Sequence, residues 1–501
     1  MRTSNRRNNR VARREYRGLG RSLAWLASGL GAVLGVGATR ADVEFTPSIG
    51  VAITWTDNID LESESADRDS ATLADVSPGF TLTQRSERIN TNIDYTLRGI
   101  FYADDSDRNT YWHDGTAGLD VELIADWFSI AAAGGYTQVL IDPKQVTIND
   151  RIFDEENVSD TVTGSVMPQL LHRFSWGTVQ ASYYYGFVDY LDTAADGGPL
   201  DDNENDGGNF SISSPRRSTI TWALRYQQWQ TDYDVSQDID YRSADGELGY
   251  RVTANLELFG SIGKESDLES EVVTPNEEPA GLDEKFWRAG FRWRPSARDS
   301  LELSYGHRFF GNTFDGAWRR EGRLLVFDVS YSEQPTTEGQ SLVRPSGVEE
   351  GAGPQQQPPQ PQPEPPEFTD LDFGITTDVY IDKVGEARVT LNGRRTMLTL
   401  GFITNEREYL TATEFNESSD GIDFGAMRQI SARDQLEFAV TYTRTDFRLD
   451  TEFEEYSGTL GWRRQLAQSV DLAVDLNHEK RAESGLGYTV SWFTVGVLKT
   501  F

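Results

Sequence analysis

Histidine, the side chain best suited to proton transfer near neutral pH, occurs four times in this chain, as His113, His172, His307 and His478. Hydrolytic chemistry needs a hydroxyl or acidic partner within hydrogen-bond reach of such a group. No local motif supplies one beside any of the four, and there is no GxSxG, HExxH or phosphate-binding glycine loop. With no cysteine, the chain has neither a disulfide framework nor a thiolate metal site. The sequence predicts a protein that is not an enzyme, with no catalytic residue, cofactor or resident metal.

Two sets of charged residues remain. The acidic stretch 192–208 carries Asp202, Glu204, Asp206 and Gly207 at the alternate spacing with which a calcium loop opens. The bidentate Glu that would complete such a loop is missing, and Ser213 stands in its place. A solvated acidic loop is the default here, and loosely held Ca2+ bridging to lipopolysaccharide is the alternative. The second set, Arg98, Glu122, Arg225, Glu247, Arg288, Arg292, Glu302, Glu437 and Asp475, sits at alternate positions within runs rich in apolar residues. Facing the lumen of a barrel, these charges would tune the passage of solutes. Paired with one another, they would only fill a wide interior.

The runs that position these charges alternate with period two. In 45–56 every odd residue is apolar, from Phe45 through Ile49, Val51 and Ile53 to Trp55, and every even one is small or polar. The pattern returns with Ile93, Tyr95 and Leu97 against Asp94 and Arg98, and with Trp287, Ala289 and Phe291 against Arg288 and Arg292. It returns again with Val470, Leu472 and Val474 against Asp471 and Asp475. Such polar faces are too polar for the core of a sandwich. Each run has the length of a tilted membrane-spanning strand, and an apolar outside with a charged inside is a wide barrel in lipid.

Connector lengths support the same architecture. Long connectors at 57–69, 103–110, 140–157, 191–205 and 266–283 alternate with tight joins at 85–86, 125, 174–175, 215–216 and 295–298. The alternation blurs only near 311–312. The expected fold is all-β: one antiparallel transmembrane barrel of about 22 strands (a range of about 18 to 22), with short periplasmic turns and long acidic outer loops. The short turns also resemble each other, since Ser296-Ala297-Arg298-Asp299 recurs as Ser431-Ala432-Arg433-Asp434. Residues 334–366 form a Pro/Gln-rich segment holding nine of the 18 prolines. It cannot pair as a strand, and with an odd number of strands on either side it reads as a long outer loop of one barrel.

Residues 1–41 read as a secretory signal peptide, with an arginine-rich start, an apolar stretch at 23–36 and small residues before Asp42. The barrel then occupies 42–501. Removing 1–41 takes away nine Arg and one Glu, so the formal charge of −33 becomes −41. That acidity argues against nucleic acid as a partner. Mean hydropathy is −0.54, and beyond the first forty residues no apolar run is long enough for a transmembrane helix. The final strand-like run, 485–501, ends on Phe501. It resembles the terminal signal by which outer-membrane barrels are recognised by the barrel assembly machinery, although Lys499 stands where an apolar residue is usual.

Short motifs carry a further resemblance: Thr46-Pro47-Ser48-Ile49, Trp55-Thr56-Asp57-Asn58-Ile59, Val76-Ser77-Pro78-Gly79-Phe80, Asp94-Tyr95 and Tyr331-Ser332-Glu333. With these the chain resembles the outer-membrane proteins associated with the PEP-CTERM/exosortase system, a family related to β-barrel porins. The resemblance implies an exported barrel in the cell outer membrane, in contact with lipid and lipopolysaccharide, and an exopolysaccharide setting. It brings no catalytic or binding residues with it. The functional expectation is a conduit or accessory for exopolysaccharide export. The alternatives are a surface-anchoring barrel whose acidic loops bind matrix or Ca2+, and a general diffusion porin.

Overall fold

In a strand that alternates large apolar with small polar residues, the two faces need different surroundings, and a sheet closed on itself supplies both. The computed structural model shows this closure. It describes residues 42–63, 68–141, 152–153, 157–191, 200–215, 218–266, 268, 282–343, 376–410, 416–447, 451–483 and 487–501. Residues 1–41, expected to be a signal peptide, lie outside the described residues.

The strands are β1 (Asp42–Thr56), β2 (Ala71–Arg85), β3 (Ile89–Tyr102), β4 (Thr110–Ile124), β5 (Phe128–Leu140), β6 (Val158–Arg173), β7 (Thr178–Tyr190) and β8 (Asn203–Ser213). Next come β9 (Ile220–Tyr233), β10 (Ile239–Arg251), β11 (Leu256–Glu265), β12 (Glu284–Ser296), β13 (Asp299–Arg308), β14 (Gly311–Glu321) and β15 (Leu325–Thr336). A six-residue helix, α1 (Glu338–Val343), follows β15. The series ends with β16 (Tyr380–Asn392), β17 (Thr396–Tyr409), β18 (Glu417–Gln429), β19 (Asp434–Phe447), β20 (Thr451–Ala467), β21 (Val470–Ala482) and β22 (Tyr488–Thr500). Every strand pairs antiparallel with the next. The last returns to the first, from Ser48↔Thr500 to Thr56↔Trp492. The chain is thus a closed 22-stranded antiparallel barrel, as its periodicity predicts.

The short turns owe their shape to local side chains. In 296–299 the Ser296 hydroxyl donates to Asp299 (2.7 Å) and accepts the Arg298 N–H (3.1 Å). In 431–434, Ser431 does the same with Asp434 (2.5 Å) and Arg433 (3.1 Å). The repeated sequence is therefore a repeated hydroxyl-capped turn.

Three connections differ from the expectation. Between β13 and β14, at the end where most connectors are long, only Phe309 and Phe310 intervene. Gly311 at φ 119° supplies the left-handed residue this tight turn needs. The stretch expected as an acidic loop up to 208 enters a strand at Asn203, so Glu204, Asp206 and Gly207 lie in β8 instead of curling around an ion. The Pro/Gln-rich segment expected as a loop from 334 begins as the end of β15 and then as α1. Its residues 344–366 lie outside the described residues.

Candidate functional site

Side chains on strands that are not neighbours can touch only on the concave side of a barrel. Arg292 on β12 reaches over β11 to Glu247 on β10 (2.8 Å), and Arg308 on β13 reaches Tyr241 on β10 (2.7 Å). Their parity is therefore the inner face. The opposite parity carries apolar side chains open to the surroundings, among them Ile262 at 74% and Leu248 at 67% exposed.

The inner wall from β9 to β14 holds one connected charge network. Glu247 lies at its centre with only 6% of its side chain exposed. It accepts hydrogen bonds from Arg225 and Arg292 and has Arg288 3.7 Å away. Arg225 also donates to Asp245 (3.1 Å), Arg292 to Glu302 (2.9 Å) and Glu257 (3.4 Å), and Arg288 lies 4.0 Å from Asp315. Five of the residues singled out from sequence, Arg225, Glu247, Arg288, Arg292 and Glu302, thus belong to one cluster. The Arg292 guanidinium also lies 4.0 Å from the centre of the Phe259 ring, which covers it from one side.

The other four stand apart. Arg98 pairs with Asp75 on β2 and lies over the Trp112 ring. Asp475 accepts both of its bonds from Arg463 (2.7 Å), and Glu437 accepts from Gln435 (2.7 Å). Glu122 joins no ion pair among the described residues; it accepts the Asp126 N–H (2.6 Å) in the turn after β4, where Asp126 sits at φ 60°. Asp75, Asp245, Glu257, Asp315 and Arg463 were not singled out from sequence. The available signal was their shared parity with the charged residues on adjacent strands.

Toward the end with most of the long connectors, the inner face changes character. Ile100, Tyr102, Tyr488, Val490 and Trp492 share the parity of the inward charges, yet they are buried in an apolar cluster with Ile152 and Phe153. Tyr102 donates its hydroxyl proton to the Ile152 carbonyl (2.7 Å). A second cluster joins Met167, Tyr184, Trp229 and Tyr241 on β6 to β10 with Leu268 and Val379 from connectors. The interior that is polar along the wall carries buried apolar clusters at this mouth.

Helix α1 lies in the second region. It follows β15, but it packs against β6, β7 and β8 on another part of the wall. The Thr337 hydroxyl lies 3.0 Å from that of Thr231 on β9. In a round barrel of this strand number, with strands ~4.8 Å apart and tilted ~40°, positions six strands apart would be separated by roughly 30 Å. The wall therefore approaches itself at this mouth, and α1 lies between β16 and β17 on one side and β6 to β8 on the other. On one side, Glu338 pairs with Arg407 (3.1 Å) and accepts from the Tyr380 hydroxyl (3.2 Å). On the other, α1 sits so close to the wall that a Cβ on Gly339 would fall 2.2 Å from Asn203 Oδ1, and one on Gly186 would fall 2.9 Å from Val343 Cβ. Asp378, in the connector returning to β16, has its carboxyl pushed above the ordinary range by burial.

His113 meets the Tyr95 hydroxyl (2.6 Å) and His307 meets Asn312 (3.2 Å), both across a hairpin. His172 lies against the Trp127 ring at 3.6 Å. His478 Nδ1 does lie 2.9 Å from the Ser491 hydroxyl across β21 and β22, a pairing that sequence spacing could not disclose. No described carboxylate hydrogen-bonds to the other nitrogen of His478. Among the described residues, no group of three or more His, Asp or Glu is placed to hold a metal ion.

Fold and wall together define a class: a closed β-barrel, apolar outside and charged within. No protein-family model matches the sequence, and no curated protein matches it. Solved structures with a similar fold include the siderophore receptor PirA from Acinetobacter baumannii, at 8% identity over 92% of this chain and 81% of that one, with a TM-score of 0.48. The ferric enterobactin receptor PfeA from Pseudomonas aeruginosa, in complex with enterobactin, matches at 10% identity over 92% and 82%, with a TM-score of 0.48. The FrpB iron transporter from Neisseria meningitidis matches at 8% over 93% and 82%, with a TM-score of 0.47. Similarity this distant carries no argument about cargo.

Proposed function

We propose that this chain is an outer-membrane β-barrel serving as a conduit whose mouth is barred by α1. The observation that carries the reading is the belt of uncovered apolar side chains around a charged inner wall. Burying apolar surface is worth about 25 cal/mol per Å², so side chains such as Leu224, Leu248, Ile262 and Leu400, half or more exposed, call for a hydrocarbon environment. Strands that satisfy their backbone groups by closing on themselves are the β solution to that environment. The short turns then face the periplasm and the barred mouth faces outward.

Exopolysaccharide export is the finer form of this reading. It is supported by the sequence resemblance and by a wall of hydroxyl, carboxylate and guanidinium groups that suits a hydrated polymer. The packed mouth favours a second reading, a surface-anchoring barrel that never opens. Single-channel conductance in a planar bilayer separates the two, using the full chain beside a variant lacking 338–343. A barred conduit gives rare steps in the full chain and frequent ones in the variant. Equal steps in both would indicate an ordinary diffusion porin, and silence in both would leave the anchoring barrel.

A further inference from the structure

The short-turn rim carries a feature that neither the wall nor the mouth uses. On the outer face, Trp293, Leu301 and Trp318 are direct cross-strand neighbours on β12, β13 and β14. The two indoles are 45% and 39% exposed. Together with Pro295, Asp299, Ser300 and Arg320 they line a cleft of about 410 Å³. Arg320 lies two residues from Trp318 toward the rim. One edge of its guanidinium lies 3.5 Å from Asp299, and its side chain is 61% exposed.

The charge around the cleft is one-sided. Residues 293–300 and 318–325 contain five arginines against two carboxylates, Asp299 and Glu321. Both carboxylates are already engaged: Asp299 accepts from Ser296 and faces Arg320, and Glu321 accepts from Arg319. Arg294, Arg298 and Arg323 form no ion pair with a described side chain. An apolar slot between two indoles, edged by the largely exposed Arg320 and on a rim with an excess of guanidiniums over carboxylates, matches a ligand with a hydrocarbon tail and an anionic head. Tryptophan side chains favour that boundary because one edge is apolar and the other carries an N–H donor. Guanidinium groups favour phosphate because their planar forks match its oxygens.

We infer that this rim binds an anionic glycerophospholipid, with its acyl chains along Trp293, Leu301 and Trp318 and its phosphate held by Arg320 with Arg298. The inference rests on the outer-membrane reading above. Each arginine near an anionic lipid surface contributes about a fivefold preference, so losing both should reduce the preference roughly twenty-five-fold.

The test is lipid retention by native mass spectrometry. The full chain is reconstituted in nanodiscs of equal dioleoylphosphatidylglycerol and dioleoylphosphatidylcholine, beside Arg298→Gln/Arg320→Gln and Arg298→Lys/Arg320→Lys. Heat-modifiable gel migration reports that each barrel is folded. The expected result is retention of phosphatidylglycerol over phosphatidylcholine, lost in the Gln pair and largely kept in the Lys pair. Equal retention of the two lipids, or a preference unchanged in the Gln pair, overturns the inference while leaving the membrane barrel standing. A folded chain that does not enter the bilayer overturns both. Inorganic phosphate offered alone in lipid-free micelles separates the sources: phosphate adducts lost in the Gln pair would reassign the rim to free phosphate.

Discussion

The ion pair between Glu338 and Arg407 offers the sharpest handle on the mouth, because it joins α1 to the wall through side chains only 13% and 11% exposed. Removing one member of a fully buried pair costs about 3–5 kcal/mol. Glu338→Gln should cost less, about 2 kcal/mol, because the amide can still accept from Tyr380 and Arg407 keeps its position 4.7 Å from the Tyr380 ring. That cost falls on the docked state of α1 alone, so undocking should rise roughly thirtyfold. In a planar bilayer this reads as a roughly thirtyfold higher frequency of open steps, with unit conductance unchanged. Arg407→Leu should produce a similar rise, and the double variant should add little to either, since both remove the same interaction. A step frequency within twofold of the parent in folded Glu338→Gln protein, or full additivity in the double variant, would refute the barred-mouth reasoning.

Other perturbations probe the wall and the sheet. Glu247→Gln leaves Arg225, Arg288 and Arg292 without their shared carboxylate; we expect a loss of about 1–3 kcal/mol of stability, read as a lower urea midpoint, and a shift of ion selectivity toward anions in any step that opens. Gly290→Ala places a Cβ 2.2 Å from the Leu303 carbonyl oxygen, which as backbone cannot withdraw. The same unfolding assay should show a loss of about 2 kcal/mol, whereas Gly458→Ala, with nothing within 4 Å, should not destabilise. Asp378 has a folded-state carboxyl raised by burial, so the folded state binds its proton more tightly than the unfolded one. Its charge opposes folding above that raised pKa, and the penalty shrinks as pH falls through it and is gone below the unfolded-state pKa. Asp378→Asn should therefore raise the unfolding midpoint at neutral pH and leave it unchanged in acid.

The barrel was legible because its outer face obeys one rule along every strand. Phe45 to Trp55 on β1 and Trp287 to Trp293 on β12 have little sequence in common, yet each shows the same alternation. The charge network was legible only as a set of positions, since the bond between Arg292 and Glu247 depends on which strands stand two apart. The packed mouth was not legible. Alternation marked Ile100, Tyr102 and Trp492 as the polar parity of their strands, and their burial follows from the convergence of tops and connectors far apart in sequence. Likewise α1 is only a short run beside a proline-rich one, and nothing local in it points to Gly186 or Asn203. Glu122 shows the limit in the other direction: its parity was right for the wall, but its position beside a turn made it a cap.

The seam between β1 and β22 has a consequence for how the ring forms. All the other pairings join strands adjacent in sequence, and most of them close a short loop; the longest, between β15 and β16, spans residues 337–379. The seam brings together residues 440 apart, as in the bond between the Thr54 and Thr494 hydroxyls (2.8 Å). Loop-closure entropy grows as about 1.5RT times the logarithm of length, which makes that one closure roughly 2 kcal/mol dearer than a thirty-residue hairpin if the chain between is slack. If the hairpins have already formed, the chain between is a curled sheet whose edges already face each other, and most of that difference vanishes. Zipping from hairpin to hairpin with the seam last is therefore the inexpensive order. A chain with one internal strand removed would still build its hairpins, but its two edges would run parallel to each other and could not close antiparallel.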